Sequence, residues 1–139
     1  MAYFEWADDM VVDGGSIDND HKKLVDLVNE LHSATSEGRG FEVIEKIMSE
    51  LIGYTREHLE REEKLMASLR FPNLERHKIG HMHFVNQLDE LQRKFGQGSL
   101  TVASQLSTVL RDWLSLHIRR SDKELKVILQ KKVAQSATK

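Results

Sequence analysis

Proline occurs once in this 139-residue chain, at Pro72, and six of the eight glycines fall into three short clusters at 14–15, 38–40 and 96–98. Proline and glycine are the residues that interrupt a helix, so their confinement leaves four long stretches free to be helical. Within those stretches Leu, Ile, Val, Glu and Lys recur at helical spacing. After Gly14-Gly15-Ser16, where Ser16 or Asp18 can cap the first amides, Leu24, Val28 and Leu31 mark a helix over about 17–37. Phe41 opens a second run through Ile44, Ile47, Leu51, Tyr54 and Leu65 that gives a helix over about 41–68. It stops before Phe71-Pro72, because a residue preceding proline avoids the α region. Asn73 suits the N-cap of a third helix whose stripe is His77, His81, Phe84, Leu88, Leu91, Phe95, closed by Gly96 and Gly98. A fourth starts near Leu100 and carries Leu106, Leu110, Trp113 and His117, with Leu125 and Ile128 continuing its apolar character.

The fold expected is all-α, an up-down-up-down four-helix bundle, because short connections between long helices favour antiparallel neighbours. A single domain over 1–139 is expected, with residues 1–15, including Phe4 and Trp6, as an arm packed over the bundle and 134–139 as a polar, fraying tail. A domain of this length buries roughly two-thirds of its unfolded surface. Net charge is −2 and 30% of residues are charged, so no strong field draws in nucleic acid or anionic lipid. The chain has no cysteine, which removes disulfides, thiolate metal sites and cysteine nucleophiles. Met1 to Val12 carries Glu5, Asp8 and Asp9 but no basic segment, and nowhere do apolar residues run long enough to span a bilayer. A soluble, cytoplasmic monomer is the expectation.

The antiparallel topology brings the start of helix 1, the end of helix 2, the start of helix 3 and the end of helix 4 to one end of the molecule. That end collects His21, His58 with Glu62, His77 with His81, and His117 with Asp122. The pairs His58/Glu62 and His77/His81 are spaced i,i+4, about 40° apart around a helix, so both members can face one point. His77, His81 and His117 also continue the apolar stripes of their helices, which turns their imidazoles inward. His117 and Asp122 are i,i+5, about 140° apart on an ideal helix. Sharing a face requires a π-type widening near Arg119 to Ser121, or the helix end.

One histidine on an apolar face is ordinarily a core residue with a hydrogen bond. Five at one level, with two carboxylates, would leave many buried polar atoms without partners, and a bound cation answers that cost. His32, toward the other end of helix 1, and His83, off the stripe of helix 3, belong to the surface or to simple polar contacts. Imidazole with few carboxylates suits iron, copper, zinc or nickel and argues against calcium and magnesium. Seven ligands exceed the needs of one ion, so two metals bridged by carboxylate are expected.

Four ordered pieces, Ile17-Asp18-Asn19-Asp20-His21-Lys22-Lys23-Leu24, His58-Leu59-Glu60-Arg61-Glu62-Glu63, His77-Lys78-Ile79-Gly80-His81 and His117-Ile118-Arg119-Arg120-Ser121-Asp122, resemble the hemerythrin family, its bacterial members in particular, over nearly the whole chain. The resemblance implies a non-haem centre of two iron ions, one held by His77, His81 and His117, the other by His21 and His58, with Glu62 and Asp122 bridging. It implies that O₂ binds reversibly at the open position of the second iron, for transport, storage or scavenging, without a substrate being consumed. The chain departs from the family where Asp20 stands before His21 in place of the common Gln, a position that would support a ligand or cap the helix. An apolar lining from Leu24, Val28, Tyr54, Trp113, Leu114 or Ile118 would exclude water from the open position, although for most of these core packing suffices as a reason.

Di-iron oxygenases instead use Glu-x-x-His pairs and more carboxylates, so histidine-rich ligation favours binding over activation. Two other functions compete with the O₂-carrier reading: a di-iron peroxidase or nitric oxide reductase, and an O₂ or redox sensor. A structural zinc bundle is disfavoured because seven ligands with an open position exceed what a closed zinc site uses.

Overall fold

The computed structural model describes the backbone of residues 3–99 and 101–137, and the side chains of those residues except 120–122 and 132–137. Among the described residues all regular structure is helical: α1 (Ser16–Ser36), α2 (Phe41–Ser68), α3 (Leu74–Gly96), α4 (Thr101–Leu116) and α5 (Asp122–Ala137), preceded by a short 3₁₀ turn at Asp8–Met10. Between α4 and α5 lies a π-helical turn, His117–Ser121. The expected fourth helix is therefore one rod made of α4, the π turn and α5, and its expected start, Leu100, lies outside the described residues. The backbone of the polar tail is helical as far as Ala137.

Helices α1 and α2, α2 and α3, and α3 and α4 pack side by side, and α1 against α4 closes the ring. The contents of that ring are the apolar stripes: Leu24, Val28 and Leu31 from α1, Ile47 and Leu51 from α2, Phe84 and Leu88 from α3, Leu106, Leu110 and Leu114 from α4, all buried. Each such side chain contributes roughly 1.5–3 kcal/mol on removal from water. This is an up-down-up-down four-helix bundle.

The connections follow from local chemistry. Gly38, with φ +68°, lets the Arg39 amide turn back to the Ala34 carbonyl at 3.0 Å and ends α1. After α2 the left-handed residue is Arg70, φ 54°, with the Phe71 amide on the Met66 carbonyl at 2.9 Å. Pro72 follows and admits no further helix. Asn73 takes the N-cap position of α3 as expected, through its backbone and without a side-chain bond.

The cap of α1 differs from the expectation. Asp13, not Ser16 or Asp18, accepts the first amides: Gly15 at 2.8 Å, Ile17 at 3.0 Å and Asp18 at 3.1 Å. Asp18 is buried and turns the other way, accepting the amides of Val12 at 2.7 Å and Gly14 at 2.8 Å. It ties the N-terminal segment to the bundle. Phe4, Met10 and Val12 are buried in that segment, and Asn29 exchanges two hydrogen bonds with the Phe4 backbone, at 2.7 and 2.8 Å.

Candidate metal centre

The four helices deliver their histidines to one level. His21 comes from the second turn of α1, His58 and Glu62 from the C-terminal half of α2, His81 from the second turn of α3, and His117 from the first residue of the π turn. His21, His58 and Glu62 are fully buried, and His81 and His117 nearly so. Ligand atoms of His21, His58, Glu62 and His117 all lie within 4.8 Å of one another.

Glu62 is the hub. Its Oε2 lies 3.2 Å from His58 Nε2 and 3.9 Å from His21 Nε2, while Oε1 lies 3.1 Å from His117 Nε2 and 3.6 Å from His81 Nε2. Oε2 also approaches His117 Nε2, at 3.3 Å. Oε2 thus faces His58 and His21, Oε1 faces His117 and His81, and His117 lies within reach of both. The Nε2 atoms of His21 and His58 converge to 3.0 Å. Among the described residues, the buried Glu62 Oε1 and His81 Nε2 make no hydrogen bond despite their proximity. Buried polar atoms ordinarily find partners, and nitrogen and oxygen lone pairs aimed at a shared point are what a transition-metal ion requires. The residues present fit a metal centre.

The charge state suits the same end. Burial first, with repulsion from His58, pushes the His21 imidazole down to about 3, and burial with repulsion from His117 pushes His81 down to about 4. Both are neutral near pH 7, the form that donates a lone pair. Burial would raise Glu62, yet His117 and His58 outweigh it and hold the carboxyl well below the usual range. Burial opposes protonation of His58 too, but its bonds to Asp20 and Glu62 prevail and raise it.

The outer nitrogens of two histidines meet carboxylates. His58 Nδ1 lies 3.1 Å from Asp20 Oδ2, and His81 Nδ1 lies 3.1 Å from Glu63 Oε1. Supporting carboxylates fix the ring and its tautomer. Of the two roles open to Asp20, ligand support is the one its contacts fit; capping falls to Asp13. Glu63 and Arg61 escaped the sequence reading, since only the packing of α2 against α1 and α3 brings them to these rings. Neighbouring Glu62 and Glu63 on a helix offered a faint signal, one carboxylate inward and the other at the boundary.

His77 lies beside the cluster and is less buried than the other four histidines. It is half-buried, edge-on to Phe71 at 5.0 Å between ring centres and 6.2 Å from His81. With His81, His117, Trp113, Asn73 and Glu124 it lines a cleft of about 330 Å³ on that side of the cluster. The side chain of Asp122 lies outside the described residues; its backbone begins α5, directly after the π turn. Of the expected lining, Leu24, Val28, Leu114 and Ile118 are buried, and Tyr54 and Trp113 are half-buried. Trp113 stacks on His117. His32 stacks on Tyr3, away from the cluster, and His83 is exposed.

Residues 15–129 match the model of the hemerythrin HHE cation binding domain. The chain is similar to the bacteriohemerythrin of Pseudomonas aeruginosa, 34% identical over 122 residues that cover 88% of this chain and 78% of the relative. It is equally similar, 34% over 124 residues, to that of Methylococcus capsulatus, covering 88% of this chain and 94% of the relative. Among solved structures, the crystal structure of a leucine-to-alanine mutant of hemerythrin superposes with a TM-score of 0.85 at 31% identity, covering 93% of this chain and 98% of that one.

Proposed function

Because the chain belongs to the hemerythrin family, and its buried histidine–glutamate cluster is able to hold that family's di-iron centre, we propose that it binds O₂ reversibly. The single observation that carries this reading is Glu62 turning one oxygen to His21 and His58 and the other to His81 and His117. That arrangement supports one iron on His21 and His58, with a position left open for O₂, and another on His81, His117 and His77. His77 would join from the cleft side, and Asp122 would supply a second bridge. When bound, the iron pair supplies the electrons with which O₂ is held and released.

The protein's own groups keep that exchange reversible. The neutral imidazoles of His21 and His81 offer nitrogen lone pairs without a proton to lose first. Glu62 stays ionised and offsets cationic charge. Leu24, Val28, Leu114 and Ile118, all buried in the core at this end of the bundle, exclude water, and a dry pocket slows loss of electrons to solvent-borne oxidants. No helix among the described residues is long and apolar enough to cross a membrane, and we take the protein to act as a soluble cytoplasmic monomer whose partner is O₂.

An absorption spectrum of the reduced, iron-loaded protein, taken before air, after air and again under argon, tests the proposal. A band that appears and then vanishes is expected, and His58→Ala should abolish it. Irreversible oxidation on first exposure would overturn the carrier reading. A specific feature, the cleft that opens onto His77, His81 and His117, favours a second one, turnover of peroxide or nitric oxide. It would stand if the reduced protein consumed hundreds of equivalents without bleaching.

A further inference from the structure

Asp20 lies in the second turn of α1, yet each donor to its carboxylate comes from α2. Oδ2 accepts from His58 Nδ1 at 3.1 Å and Arg61 Nε at 2.8 Å; Oδ1 accepts from Tyr54 OH at 2.9 Å and Arg61 Nη2 at 2.9 Å. Tyr54, His58 and Arg61 are spaced by four and three residues, so they form one face of the helix. The Arg61 guanidinium also lies over the Tyr54 ring, 5.4 Å from its centre, which steadies the fork that grips Asp20. Asp20 itself is buried.

We propose that Asp20 is a positioning residue for one of the two metals: it holds a proton on His58 Nδ1 and aims Nε2 into the cluster, while Arg61 and Tyr54 keep its carboxylate from becoming a ligand. An ionised carboxylate offers about four acceptor directions, and four donors occupy them. None is left for a cation. The proton held on Nδ1 leaves Nε2 as the nitrogen that can donate a lone pair, and the negative charge behind the ring strengthens that donation. This chain therefore places an anion behind one ligand and a matching cation at its surface.

The support is lopsided. Among the described residues His81 has Glu63 behind it, a half-buried carboxylate whose hydrogen bond there is to His81 alone. A change at Asp20 should thus weaken the metal on His21 and His58 and spare the other. Loss of such a partner lowers metal affinity by about 10–100-fold.

The inference rests on the metal-centre reading above, and its test separates the two. Proton–nitrogen NMR of the metal-free protein should display a slowly exchanging His58 Nδ1–H that persists in Asp20→Asn, whose amide oxygen still accepts, and disappears in Asp20→Ala. Cobalt(II) added alone under chelator competition should bind Asp20→Ala with one of its two affinities reduced about 10–100-fold and the other unchanged, and Asp20→Asn should recover most of the loss. A general packing defect would lower both affinities together, and that result overturns the proposal, as does an Nδ1–H signal unaltered in folded Asp20→Ala. If Asp20→Ala fails to fold, Asp20→Asn decides: a small loss confined to one affinity supports the proposal, an equal loss at both overturns it. A wild-type protein that bound no cobalt would sink the metal reading while the Nδ1–H signal still reported on Asp20.

Discussion

The indole of Trp113 lies flat on the imidazole of His117, ring centres 4.4 Å apart and planes 10° from parallel, and its far face carries Phe84 at 3.8 Å. Trp113 and His117 are spaced i,i+4 where α4 runs into the π turn, so the helical rod itself brings them together. The chain has one other tryptophan, Trp6, whose ring lies beneath Lys22. An open-shell transition ion on His117 sits within quenching range of Trp113. Titrating the metal-free protein with iron(II) or cobalt(II) should therefore quench part of the tryptophan emission. Trp6→Phe should retain the quenching and Trp113→Phe should lose most of it; equal quenching in the two variants would show that the ion does not reach His117.

Acid should destabilise the metal-free protein well before the carboxylates titrate. His81 is depressed to about 4 and His21 to about 3, against about 6.5 in an unfolded chain. Between those limits the unfolded chain binds protons that the folded protein does not, so stability falls as pH falls from about 6.5 toward 4. His58 is raised, and the stability it adds is already complete below 6.5. It does not offset the slope in that window. Thermal melts of the metal-free protein at pH 7, 6 and 5 should give a falling Tm, and a Tm that held steady or rose would contradict the neutral, buried state of these rings.

Asp18 should matter for stability and not for metal. Its buried carboxylate is the acceptor for the amides of Val12 and Gly14. Truncation strands these donors beneath the N-terminal segment, a loss of about 1–3 kcal/mol for unsatisfied buried groups. Urea unfolding of Asp18→Ala should give a lower midpoint and an unfolding free energy smaller by that amount, with cobalt(II) stoichiometry unchanged. A variant as stable as the parent would mean that Phe4, Met10 and Val12 hold the segment unaided.

How far the sequence speaks for itself depends on how local each feature is. Helix extents were legible because Gly38, Pro72 and Gly98 act on their immediate neighbours, and α2 begins and ends where residues 41 and 68 suggest. The level of the histidines was legible because antiparallel topology converts chain position into height. The direction of single side chains was less so. Ser16, Asp13 and Asp18 all offer a carboxylate or hydroxyl near the same amides, and the choice of Asp13 depends on the buried arm claiming Asp18. The grip of Tyr54 and Arg61 on Asp20 requires α1 and α2 to be side by side at a particular rotation, which no spacing within either helix encodes. His77 lies in the first turn of α3, against Phe71, where the helix leaves the core.

The π turn at His117–Ser121 follows from a spacing of five residues that an α-helix cannot bring to one face. An added residue in one turn costs hydrogen-bond geometry, and such turns persist chiefly where function gains from them. Here the turn opens with His117 inside the cluster and gives way to α5 at Asp122. Deleting Arg120 should let the segment relax to regular α-helix. His117 would keep its register with Leu110 and Leu114, and Asp122, now at i+4 from His117, would lie about 40° from it on one face. The register of α5, and with it the buried site of Leu125, would be kept. The expected result is a protein whose far-UV circular dichroism remains helical and which still binds two cobalt(II) ions tightly. Loss of one tight ion in the deletion variant would mean that the extra residue of the π turn is itself what brings Asp122 to the cluster.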